Sequence, residues 1–150
     1  MTLVTQATRG SVEHRPVLVV TRHVRGRATL RVPLLDGSWR SFDVSEKTAR
    51  FLRVLCDAYL KDHREKRTRR GVRSRAALMR MLNALPYARG MDDDGSVVSN
   101  ASDARKEIRE GLAGVPAHLL LEVDLVETVH LQGYRIGRSG LDVVEEPEED

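Results

Sequence analysis

Three stretches early in the chain alternate apolar and polar positions with a period of two: PVLVVTR (16–22), RATLRVPLL (27–35) and SWRSFDV (38–44). A strand turns successive side chains to opposite faces, so this pattern, rich in Val, Leu and Thr, predicts strands. Asp36-Gly37 between the last two is a hairpin turn signal. An antiparallel sheet of three or four strands over 15–43 follows, preceded by a polar, flexible arm over 1–14.

From residue 45 the period lengthens. In SEKTARFLRVLCDAYL (45–60), Thr48, Phe51, Leu52, Leu55 and Tyr59 recur at helical intervals, with Arg50, Arg53 and Asp57 mostly opposite. Ser45 is the expected N-cap, and Thr48 stands where a capping box would carry Glu. Cys56 falls beside Leu52 and Leu55 and reads as a small core residue. After a break at Gly71, Ser74 caps a second helix over 75–85, with Leu78, Met81, Leu82 and Leu85 in one stripe and Pro86 at its end. A third helix is expected over 99–113, capped by Ser99 or Asn100 and stopped by Gly114 and Pro116. Its apolar stripe is thin, Ala101, Ala104, Ile108 and Leu112, and Ser102, Asp103, Arg105, Lys106 and Arg109 lie on the other sides.

The last periodic segment, 119–137, reads as a β-hairpin. Within it LVETVHLQGYRIG (125–137) alternates, turns at Gln132-Gly133, and puts Tyr134 and Ile136 on one face, where they would anchor it to the core. Beyond Arg138 the residues 139–150 turn acidic and are expected to be disordered.

Charge sharpens this picture. The net charge of +3 hides an asymmetry, because LDVVEEPEED (141–150) holds six acids and no base, leaving 25 basic against 16 acidic residues, or +9, over 1–140. Eight Lys or Arg against two acids crowd KDHREKRTRRGVRSR (61–75). A basic body suggests a polyanionic partner, with the acidic tail as competitor, recruiter of another protein, or plain solubiliser.

Other chemistries find little support. The histidines at 14, 23, 63, 118 and 130 fall in different segments and share no metal-ligand spacing with Cys56 or the acids. The aspartates of the loop 86–98 lack the alternate spacing of a calcium loop. No phosphate-cradling glycine loop or Gly-x-Ser-x-Gly elbow occurs. An enzyme is therefore not expected, nor any metal or cofactor. Six aromatic residues, several needed in a core, make a stacking platform for single strands hard to build. The apolar run 16–20 is too short for a secretory core, no run spans a bilayer, and a lone cysteine suits the cytoplasm, where the chain is expected to work without a membrane.

Sheet, three helices and a hairpin, in that order, make an α+β winged helix-turn-helix. At the hairpin the chain resembles the OmpR/PhoB-type winged-helix DNA-binding domain. That family's wing typically reads Ile-x-Thr-Val-Arg-Gly-x-Gly-Tyr-Arg-Leu, against Val126, Glu127, Thr128, Val129, His130, Leu131, Gln132, Gly133, Tyr134, Arg135 and Ile136 here. VSEKTARFLRVL (44–55) resembles the family's Leu-Thr-x-x-Glu opening of its first helix, and SRAAL (74–78) its Ser-Arg-Glu-Glu-Leu opening of the second. The resemblance covers about residues 15–138 as a stand-alone module, without the receiver domain that often precedes it. The family's wing arginine falls at His130, and its first turn glycine at Leu131.

The resemblance implies a bacterial, sequence-specific transcription regulator on double-stranded DNA, with RNA polymerase or another regulator protein as further partner and oligomers formed on DNA. Asn100, Ser102, Arg105 and Lys106 would meet base edges in the major groove. Arg109, Arg135, Arg138 and the cluster residues Arg67, Arg69, Arg70 and Arg73 would hold phosphates, with His130 at the wing contact. The alternative is a winged-helix protein–protein module that has lost specific DNA reading, its basic surface modulated by the acidic tail.

Overall fold

The computed structural model describes residues 17–22, 27–67, 71–85, 94–121, 125–129, 131–136 and 142–147. The fold is α+β, with elements in the order β1 (Val17–Arg22), β2 (Ala28–Pro33), β3 (Trp39–Val44), α1 (Glu46–Arg64), α2 (Arg75–Asn83), α3 (Asp94–Gly111), a 3₁₀ turn (Ala117–Leu119), β4 (Val126–Val129), β5 (Gly133–Ile136) and β6 (Asp142–Pro147).

The period-two stretches form the strands they predict. β1 and β2 pair antiparallel, as do β2 and β3, and Leu18, Val20, Leu30 and Val32 turn one face inward. The acidic tail corrects the expectation of disorder. Residues 142–147 form β6, which runs parallel to β1 in a sheet of order β3-β2-β1-β6. Val143 and Val144 stand in register with Leu18 and Val19, so a β-branched pair suited to a strand lies within the acidic run. Net charge hid that local propensity.

α1 is the central post. Thr48, Phe51, Leu52, Leu55 and Cys56 are wholly buried, and Val54, Ala58 and Tyr59 nearly so, so it packs on almost every side. Ser45 caps it as its sequence suggests, accepting from Thr48 N–H. α2 is likewise capped by Ser74 and ends at Asn83, short of the expected Leu85. α3 departs most. It begins at Asp94, so Ser99 and Asn100 lie inside the helix and cap nothing. Its inward residues Val97, Ala101, Ala104 and Ile108 repeat at three and four, and Val97 extends the stripe one turn upstream.

Two ties hold α3 and the β4–β5 hairpin in place. At the C-terminal end of α3, Arg40 from β3 donates Nε–H to the Gly111 carbonyl at 3.0 Å and Nη2–H to that of Ala113 at 2.8 Å, a cation where the helix dipole is negative. Behind the hairpin, Arg73 and Tyr134 exchange both backbone hydrogen bonds at 3.0 Å, adding a bridge from the α1–α2 connection to β5. Gly133 makes this approach feasible: its φ is +129°, and a Cβ there would sit 1.9 Å from the Arg73 carbonyl oxygen.

Candidate nucleic-acid interface

With Val97, Ala101, Ala104 and Ile108 inward, helical geometry turns Ser99, Ser102, Lys106 and Arg109 outward, and all four are exposed. Val98 and Glu110 share that outer side. The acids Asp103 and Glu107 lie along its far flank, Asp103 paired with a cation and Glu107 held, still charged, by uncharged donors. Asp103 pairs with Lys47 at 2.7 Å. Glu107 accepts from Ser45 N–H and Ser45 Oγ, each at 2.7 Å, and from the Thr48 hydroxyl. The capping box that α1 lacks in its own sequence is completed by a carboxylate from another helix. Burial would raise the Glu107 pKa, but the hydrogen bonds from Thr48 and Ser45 outweigh it and hold the carboxyl below its ordinary range.

The opposite flank meets the hairpin through Arg105. Its Nε–H donates to the Val126 carbonyl at 3.0 Å, its Nη2 donates to Thr128 Oγ1, and its guanidinium lies 5.8 Å from the centre of the Tyr134 ring. Tyr134 in turn meets Phe51 edge to face at 6.3 Å. The chain Phe51–Tyr134–Arg105–Thr128 locks the hairpin to α1 and α3. Arg105 is thereby drawn from the expected base-edge role toward the hairpin, which takes its Nε and Nη2 donors.

Asn100 is corrected as well. It is 2% exposed and donates to the Ser96 carbonyl at 2.8 Å, so it faces the core side of α3 rather than a partner. Arg73 is the third correction. Its guanidinium forks onto Asp62, Nη1 to Oδ2 at 2.8 Å and Nη2 to Oδ1 at 2.9 Å, and Gly71 N–H donates to the same carboxylate at 2.8 Å. Asp62 is 1% exposed, and this fork, against the cost of burial, lowers its pKa while raising that of Arg73. A phosphate could recruit Arg73 only by stripping a buried carboxylate.

Arg135 is half-buried and joined to Glu127 across the hairpin at 2.6 Å. Arg67 is exposed, with Glu65 at 2.9 Å. Arg69, Arg70, His130 and Arg138 lie outside the described residues. The structure thus gathers Ser102, Lys106 and Arg109 on one face and draws Asn100, Arg105 and Arg73 away from it. Two features escaped sequence reasoning. One is a cleft of about 510 Å³ between the start of α2 and the hairpin, lined by Ser74, Arg75, Thr128, Leu131 and Gln132 among others. The other is Leu131 itself, 91% exposed at the hairpin turn. The mismatch with the resembled family's turn glycine was the one signal for Leu131.

No helix among the described residues is long and apolar enough to cross a membrane. Comparisons with protein-family models, with curated proteins and with solved structures return no match to this chain.

Proposed function

We propose that the protein is a winged helix-turn-helix regulator that binds double-stranded DNA, with α3 in the major groove and the β4–β5 hairpin as a wing beside it. One observation carries this reading: α3 presents Ser99, Ser102, Lys106 and Arg109 outward while the neighbouring acids Asp103 and Glu107 are held by Lys47 and the start of α1. A helix diameter of about 10–12 Å matches the width of a major groove. On this reading Ser102 and Lys106 meet base edges, and Arg109, Arg67 and Arg75 meet phosphates.

A protein-docking role for the same face is favoured by the exposed Val98 beside it and by Glu110, which opposes a polyanion. Selection from random duplex DNA, followed by a salt titration, separates the two. An enriched motif, bound with a log–log salt slope of about −0.9 for each phosphate neutralised, supports the regulator. No binding to any duplex at low salt overturns it in favour of protein docking.

A further inference from the structure

The β4–β5 turn carries a feature that packing does not explain. Leu131 is 91% exposed and holds φ at +62°, a left-handed conformation that Gly or Asn adopts readily and a leucine adopts at a cost. It therefore combines an unfavourable backbone with an unfavourable exposure, on a side chain that touches no core. Such outliers persist where the surroundings fix them, and they concentrate at functional sites. The surroundings do fix this one: Gln132 N–H closes the turn onto the Val129 carbonyl at 2.9 Å, and the Arg73–Tyr134 bridge and the Arg105–Thr128 bond hold both strands.

The neighbourhood suits the edge of a duplex. Leu131 stands on the rim of the cleft that the hairpin forms with the start of α2, where the exposed Arg75 supplies a cation. The Arg105–Thr128 bond ties the same hairpin to α3, so the turn and the helix are held in a fixed relation.

We propose that Leu131 is an apolar wedge that enters the minor groove of duplex DNA and loosens the base step it meets. This rests on the duplex-binding reading above. Aliphatic wedges of this kind partly unstack a step and bend the duplex, most readily at pyrimidine–purine steps. The wedge contributes contact and distortion rather than charge, so it acts independently of the salt-sensitive contacts of Lys106 and Arg109.

The test compares the full chain with Leu131→Asn, which keeps the left-handed turn and removes the aliphatic end. The probe is the selected duplex carrying 2-aminopurine at a TA step beside the motif. The wild-type chain should raise the fluorescence of the probe. Leu131→Asn should melt no lower than the wild type, bind about tenfold more weakly, as expected for a leucine side chain returned to water, and leave the salt slope unchanged. If both proteins bind equally with the same fluorescence, the wedge is wrong and the regulator reading stands. If the wild type binds no duplex, both fall. If Leu131→Asn abolishes binding to anionic vesicles while duplex binding is untouched, the tip belongs to a lipid surface and the proposal is overturned.

Discussion

Glu107 offers the sharpest test of how α3 is held. Glu107→Ala removes the acceptor for two Ser45 donors and for the Thr48 hydroxyl, which is fully buried. Ser45 is exposed, so water replaces its lost partner at little cost. Thr48 has no such recourse, and losing a hydrogen bond to a charged acceptor costs about 1.5–3 kcal/mol. Loss of an anion at the start of α1 adds roughly 0.3–1 kcal/mol. The expected destabilisation is therefore about 2–4 kcal/mol, or a melting temperature lower by roughly 4–16 °C for a chain of this size. Glu107→Gln keeps an acceptor oxygen and should cost about 1 kcal/mol.

Urea unfolding followed by circular dichroism reads these numbers directly, with an unchanged m-value as the sign that only stability moved. The acid limb gives a second check. Because the folded pKa of Glu107 lies below its ordinary 4.5, its contribution is fully present above that value and is lost as pH falls through the lower folded pKa. The gap between wild type and Glu107→Gln should therefore narrow on acidification. A loss under about 0.5 kcal/mol for Glu107→Ala, against the range given for charged hydrogen bonds, refutes the reasoning. A gap that stays constant down the acid limb would do the same.

Three further outcomes follow from the same contacts. Arg73→Ala leaves the Asp62 carboxylate buried without its fork and should cost about 3–5 kcal/mol in urea unfolding; a loss below 1 kcal/mol, on the scale of a surface pair, would contradict that. Gly133→Ala drives a Cβ to 1.9 Å from the Arg73 carbonyl, so the hairpin must part from the α1–α2 connection, lowering stability by roughly 3 kcal/mol or more in a thermal melt. Arg105→Ala should weaken binding to a selected duplex and to random DNA by the same factor, because it orients the hairpin; selective loss on the selected duplex would restore it as a base reader.

The strands, the three helices and the hairpin were legible because their apolar spacing is regular, and Ser45 and Ser74 cap where the pattern changes. What escaped was tertiary. No local rule shows that Glu107 completes the cap of a helix whose N-cap lies 62 residues upstream, or that Thr128 receives Arg105. A charge count cannot tell an arginine that waits for phosphate from one consumed by a buried carboxylate, as Arg73 is by Asp62. Asn100 looked like a cap because it follows a polar loop, yet the helix had already run for a turn and a half, and its side chain bonds back to Ser96. The acidic tail misled for a related reason. Charge dominates its composition, while Val143 and Val144, residues with a preference for strands, lie within the segment that pairs with β1. Of the contact residues expected on α3, Ser102, Lys106 and Arg109 are the ones left exposed.

The most direct test is the salt dependence of duplex affinity for the wild type and for the Lys106→Ala/Arg109→Ala double variant. Both side chains are exposed, so the variant should melt within about 0.5 kcal/mol of the wild type. If Arg109 meets a phosphate and Lys106 a base edge, affinity for the selected duplex should fall at least tenfold and the salt slope should shrink by about 0.9. Equal affinity and an unchanged slope, in a protein that still binds the duplex, would mean that α3 does not face the DNA.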